Sequence, residues 1–174
     1  MEPVSSSPSY HNIPPLEDGG VIARRGFDFQ DHVAAKYCLE MLEGETLIEV
    51  WCETLDDITL VYREATLEKF EFVQAKSNEF ENLWSVAKLC KRDKKNRVPV
   101  IGSSILEKSF AYERGAEPCR FRIVTSLPVK NELTTLTLPL NSLGRTAEKL
   151  TTLCEKIERK IPGCQSPNNN NTHS

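Results

Sequence analysis

Residues 53–77 read ETLDDITLVYREATLEKFEFVQAKS, and this stretch decides the fold. DDITLVY and KFEFVQAKS are rich in β-branched and aromatic residues, with only REATLE between them. Two such runs around a short connector predict an antiparallel hairpin that turns near residues 65–66. Closing it brings Asp56 and Asp57 opposite Gln74, Ala75 and Lys76. A one-residue shift in register decides which aspartate shares a face with Gln74 and Lys76, and the sequence leaves both choices open.

Outward from the hairpin, TLIEVWCET (46–54) is a further strand. Before it, GFDFQDHVAAKYCLEMLEG (26–44) has helical periodicity, with Asp28 as its cap and Gly44 as its stop. Its apolar stripe is Val33, Ala34, Tyr37, Cys38, Met41 and Leu42. Gln30 lies on the same stripe and points a polar group toward the core. After the hairpin, NEFENLWSVAKLCKRDKK reads as a helix with a basic end. Pro99 separates it from a second helical stretch, IGSSILEKSFAYERG. CRFRIVTS is a strand, and GRTAEKLTTLCEKIERKI is a last amphipathic helix with Ala147, Leu150, Leu153, Cys154 and Ile157 on one side. Helix, three strands, helices, strand and helix make an α/β sandwich around a mixed central sheet flanked by helices. Residues 1–20 (rich in Pro, Ser and Gly) and the Asn-rich tail 161–174 are expected to be disordered, which leaves one domain over 21–160.

The chain has 174 residues, 39% hydrophobic and 27% charged, which suits one domain with a real core. A net charge of −3 gives no global bias toward nucleic acid, although a local patch can outweigh the sum. The six cysteines form no CxxC pair and there are only three histidines, which argues against zinc. Most of the cysteines fall in apolar periodic segments, so reduced core thiols in a cytosolic protein are expected. The N-terminus has neither a basic start nor an apolar h-region, and no run approaches the ~20 apolar residues of a membrane span. A soluble cytoplasmic protein without membrane partners is the expectation.

Carboxylates beside a lysine are what metal-assisted phosphodiester hydrolysis requires. Hard oxygens hold Mg²⁺, the metal activates water, and a lysine orients that water or stabilises developing charge. A helix, an acid-bearing strand and a strand ending in (Asp/Glu/Gln)-x-Lys resemble the PD-(D/E)xK nucleases of restriction-endonuclease-like fold, here with the Gln-x-Lys variant of the Mrr-type branch. RRGFDFQ, then E..LDDI, then FVQAKS is similar to the N-terminal nuclease domain of the double-stranded DNA endonucleases of bacterial cyclic-oligonucleotide anti-phage defence. The resemblance covers about residues 21–130 and implies an αβββαβ core.

By this resemblance Asp57 is the metal-binding acid, with Asp56 in reserve if the register shifts. Gln74 replaces the usual acid and offers a carbonyl oxygen, Lys76 is the catalytic lysine, and Gln30 is the polar residue aimed in from the first helix. Glu53 is a further metal ligand. The implied cofactor is Mg²⁺, with Mn²⁺ as a substitute. The implied activity is endonucleolytic cleavage of duplex DNA in anti-phage defence, by a homo-oligomer because two strands must be cut. The family's C-terminal sensor domain for a cyclic oligonucleotide is not expected in this chain, since only about 45 residues follow the last strand and a domain needs roughly 50 or more.

Each residue also has a plainer reading. The aspartates can be a strand-entry turn, Lys76 an edge-strand charge, and Gln30 a buried amide satisfied by backbone. Their convergence on one hairpin weighs toward a site. The basic run KLCKRDKKNR supplies Lys88, Lys91, Arg92, Lys94, Lys95 and Arg97 as phosphate contacts or as a solvated helix end, and Arg24 and Arg25 share that ambiguity. Trp51 and Trp84 are expected to pack in the core or at its rim. The rival function is an inactive nuclease-fold module for nucleic-acid binding or assembly, and an RNA-directed nuclease is a third reading.

Overall fold

The central sheet is built where the apolar alternation is strongest. A computed structural model describes residues 19–77, 83–113 and 115–163. Strand β1 (Leu47–Cys52), β2 (Ile58–Glu64) and β3 (Leu67–Lys76) form an antiparallel meander. β6 (Cys119–Thr125) pairs parallel to β3, giving the order β1-β2-β3-β6. The β2–β3 hairpin turns at Ala65, whose φ of 55° suits a tight two-residue connection between Glu64 and Leu67. Parallel pairing of β6 requires a crossover, which residues between β3 and β6 supply.

The two faces have different cover. Helix α1 (Gly19–Glu43) lays Val33, Ala34 and Tyr37 on Leu60, Val73 and Ala75. Ile58 and Leu60 are fully buried, each worth about 1.5–3 kcal/mol of burial. On the opposite face Ile123 packs beneath α2 (Val86–Leu89), α3 (Ile105–Ala111) and α5 (Ala147–Glu158), around Trp84, Leu89 and Leu153. A 3-10 turn (Asn131–Leu133) and α4 (Thr134–Thr137) join β6 to α5. The expected α/β architecture, a mixed sheet flanked by helices in αβββαβ order, is present.

Four local expectations differ. Helix α1 begins at Gly19, so Asp28 lies inside it and is not its cap; Ala23-Arg24-Arg25 are good helix formers that carry the helix backward. The long helix expected after β3 is only α2. Lys88, Lys91, Arg92 and Lys95 would stack like charges three or four residues apart, which opposes a helix. The chain instead forms a ribbon of β4 (Lys94–Lys95) and β5 (Val98–Pro99). Its turn residues Asn96 and Arg97 both have positive φ, 51° and 68°, the I′ pattern that asparagine tolerates and in which arginine costs about 1 kcal/mol. Among the described cysteines only Cys90 is buried, while Cys52 and Cys154 are exposed, so thiols are not the core material expected. Finally, Ile161 is buried against the α5 side, so the packed unit extends past residue 160. Residues 1–18 and 164–174, most of the expected disordered ends, lie outside the described residues. Trp84 is buried and packs in the core as expected.

Candidate active site

The site forms where β2 gives way to a loop and β3 continues with β6 as its remaining partner, Gln74 to Lys76 pairing with Ile123 to Thr125. Ile58 pairs with Val73, so Asp57 follows in line with Gln74. There the ladder changes character. The Asp57 carboxylate accepts the Ala75 backbone N–H at 2.9 Å, the bond the next residue of β2 would otherwise supply. The same oxygen, Oδ2, accepts Lys76 Nζ at 3.4 Å. Gln74 Nε2 donates to Asp56 Oδ1 at 3.4 Å, and the Asp57 N–H donates to that same oxygen at 2.9 Å. The structure therefore brings both aspartates to the lysine strand: Asp57 to Lys76, Asp56 to Gln74.

Helix α1 closes the site from the other side. Gln30 is buried, and its Nε2 donates to the Glu53 carboxylate and to the Asp57 carbonyl, the latter at 3.2 Å. The Glu53 N–H donates to that carbonyl at 3.1 Å, and Glu53 itself sits at a φ of 53°. A non-glycine residue held in the left-handed region beside converging carboxylates is stored backbone strain of the kind found at functional sites. Gln30 thus ties the β1–β2 turn to α1 and fixes the backbone that carries Asp57.

Electrostatics single out Asp56. Burial pushes its carboxyl above the ordinary range and the neighbouring Asp57 carboxylate adds to this; the Asp57 N–H, Lys76 and Lys108 act the other way. Tyr112 has its hydroxyl pushed up by burial and by both aspartates. Lys108 and Tyr112 bring α3 to the site, and sequence reasoning missed them because nothing in IGSSILEKSFAYERG marks which helix face meets β3. Tyr112 stacks on Phe72 at 4.9 Å, two residues from Gln74 on the same face. Leu55 and Tyr112 border an apolar groove of about 420 Å³, with Trp51, Phe70 and Phe72.

The donor set suits a hard divalent cation. Asp56 and Asp57 crowd negative charge that a cation would relieve, and Gln74, with its amide NH₂ on Asp56, leaves its carbonyl oxygen available. Mg²⁺ keeps several waters and takes one or two carboxylates, which this set can provide. Glu53 is engaged by Gln30. Among the described residues, no three His, Cys, Asp or Glu side chains close into a metal-holding group.

The expected DNA contacts divide. Arg24 and Arg25 are exposed on the early turns of α1, before Gln30. Lys88 lies over the Trp84 ring at 5.7 Å. Lys91, Lys94, Lys95 and Arg97 are exposed, the last three on the β4–β5 ribbon. Arg92 is bound in a fork to Glu107, at 2.9 and 3.1 Å from Nε. That pair holds Glu107 down to about pKa 2.

Among the described residues no helix is long and apolar enough to cross a membrane. A family model described as "Cap4, dsDNA endonuclease domain" matches residues 18–171. The chain is similar to anti-bacteriophage protein A of Escherichia coli (strain K12), 36% identical over 130 residues, which cover 72% of this chain and 23% of that protein. The chain thus spans about a quarter of that relative's length. No solved structure matches it significantly.

Proposed function

The chain belongs to the Cap4 dsDNA endonuclease domain family, and from that premise we propose that Asp57, Gln74 and Lys76 form a metal-assisted site for hydrolysing phosphodiesters of duplex DNA. The observation that carries this reading is the Lys76–Asp57 contact at 3.4 Å on a carboxylate already fixed by the Ala75 N–H. One oxygen of Asp57 is committed to that geometry and the other is left for chemistry. Asp57 and the Gln74 carbonyl hold Mg²⁺ or Mn²⁺, with Glu53 as a further ligand if Gln30 yields it. When bound, the metal polarises the phosphate and makes its water a better nucleophile.

The chain's own residues do the rest. Lys76 Nζ stands beside Asp57, where it orients the attacking water or meets charge developing on the phosphate. Gln30 positions the turn that carries Asp57. Rigid strands suit this work because small displacements at such a site are expensive in rate. Arg24, Arg25, Lys88, Lys91 and the ribbon lysines supply phosphate contacts. Cutting both strands calls for two sites, hence a homo-oligomer. The relative's name, with a DNA substrate, supports a cytoplasmic role in defence against bacteriophage.

A nuclease-fold module that binds DNA without cutting it draws on one observation, the lack of a three-residue metal-holding group among the described residues. Supercoiled plasmid with Mg²⁺ or Mn²⁺ decides between the two. The proposed site is supported if the 174-residue chain nicks or linearises plasmid while Lys76→Ala and Asp57→Asn slow it by about a hundredfold or more. Binding without cutting, with either metal, favours the inactive module.

A further inference from the structure

The β4–β5 ribbon is not explained by the fold or by the site. It projects from the crossover between β3 and β6 and is exposed along both strands. Lys94, Lys95 and Arg97 have no ion-pair partner among the described residues. Val98 and Ile101, 65% and 82% exposed, add apolar surface to a cationic element. The turn is a two-residue I′ connection, for which Asn-Gly is the usual solution. Here arginine occupies the second position, at a φ of 68°, where it strains the turn without an ion pair among the described residues to offset that.

The base of the ribbon, by contrast, is fixed. Val100 N–H donates to the Asp93 carbonyl at 2.8 Å, extending the ladder by one pair. Asp93 N–H donates to Ser103 Oγ at 2.8 Å, and that hydroxyl donates to the Val100 carbonyl at 2.6 Å. Arg92 grips Glu107, which forms the capping box of α3 with Ser104. Helix α3 is short, about 10 Å by its residue count, and ends at Tyr112 against Phe72. Helix α3 thus links the ribbon's root, through Glu107, to Phe72, two residues before Gln74 on the site's face of β3.

We propose that the β4–β5 ribbon enters the major groove of the duplex held at the active site, with Arg97 at its tip against base edges and Lys94 and Lys95 on the flanking phosphates. This rests on the nuclease reading. A two-stranded ribbon matches the width of the major groove, and arginine is the commonest side chain to read guanine there. The exposed Val98 and Ile101 suit pyrimidine methyl groups at the groove floor. The ribbon then fixes where along the duplex a phosphate meets Lys76, and it is a source of sequence preference separate from the catalytic residues.

The test is Arg97→Gly in the full chain, with Arg97→Asn as a second variant at ease at positive φ. Melting temperature and duplex affinity are measured together, in EDTA to prevent cutting, on a plain duplex and on one whose pyrimidines carry bulky 5-substituents that fill the major groove. The expected result is an unchanged or higher melting temperature with duplex binding weakened by about tenfold. Wild type loses a similar factor on the filled-groove duplex, and the variants lose little more. Variants that bind plain duplex like wild type overturn the ribbon's role, as does a wild type indifferent to the groove substituents. If wild type nevertheless cuts plasmid in a Lys76-dependent way, the nuclease reading survives that failure. A wild type that binds neither duplex and does not cut plasmid with Mg²⁺ or Mn²⁺ defeats both, and Arg97-dependent binding to anionic vesicles without such binding to duplex assigns the ribbon to a lipid surface instead.

Discussion

Glu71 is the acid in β3 that most invites confusion with the site, and replacing it by glutamine separates fold from function. Its side chain is 1% exposed. One oxygen accepts Arg120 Nε at 2.8 Å and Arg120 Nη2 at 2.5 Å; the other accepts Arg122 Nε. Glutamine keeps the shape and one acceptor oxygen but turns an NH₂ toward one of the arginines. At least one charge-assisted bond is lost, worth about 1.5–3 kcal/mol, and a donor faces a donor. The arginine side chains are 50% and 48% exposed, so they can turn to water. The full ~3–5 kcal/mol of an orphaned buried charge is therefore not reached. The net expectation for Glu71→Gln is a loss of about 2–3 kcal/mol, or roughly 5–10 °C in Tm for a domain of this size. Urea unfolding followed by circular dichroism measures it. Alternation along β3 places Glu71 on the α1 face with Val73 and Ala75, and Gln74 and Lys76 on the other. Plasmid cutting per folded molecule should consequently stay within about twofold of wild type. A stability loss below about 0.5 kcal/mol would refute the argument about the arginines. A loss of cutting at unchanged stability would refute the assignment of faces.

Asp56→Asn keeps both hydrogen bonds that Asp56 accepts and removes a carboxylate whose pKa is raised in the folded chain. A raised carboxyl binds more protons folded than unfolded, so its penalty is absent below the ordinary value of 3.8 and grows as pH rises through the folded value. Scanning calorimetry should therefore find Asp56→Asn more stable than wild type at pH 7, with the gain vanishing near pH 3. Gln30→Ala removes donors to Glu53 and the Asp57 carbonyl; it should cost about 1–3 kcal/mol in urea unfolding and lower plasmid cutting per folded molecule by about tenfold or more, and a stability change without a rate change would make Gln30 merely structural. Lys94→Ser with Lys95→Ser should reduce the slope of log Kd against log salt by about 2 if both touch phosphate; an unchanged slope in fluorescence anisotropy would remove them from the interface.

The hairpin was legible because its signals are local: β-rich runs, a short connector, and acids and a lysine at matching distances from the turn. The convergence of Asp56, Asp57, Gln74 and Lys76 followed from that one closure, while Gln30 arrives separately on α1. The division of labour between the aspartates was not legible. It depends on Asp57 leaving the ladder and spending its carboxylate on the Ala75 N–H, which no residue pattern encodes. The basic run misled for a related reason. VAKLCKRDKK has the composition of a helix, but crowded like charges and an Asn-Arg turn favoured a ribbon, and Arg92 went to Glu107 instead of remaining outward. Glu71 went unremarked because its arginines arrive on β6, about fifty positions later.

The bond from Ala75 N–H to Asp57 has an evolutionary corollary. On the proposed reading, position 57 serves the sheet with one oxygen of its carboxylate and the reaction with the other. A lineage that abandoned cleavage would still need an acceptor there to hold the end of β3. Asparagine provides it and alanine does not, so drift toward silence should run through a single-atom exchange that leaves the architecture intact. Inactive descendants of this domain would then carry a well-folded copy of their ancestor's site, betrayed by one nitrogen.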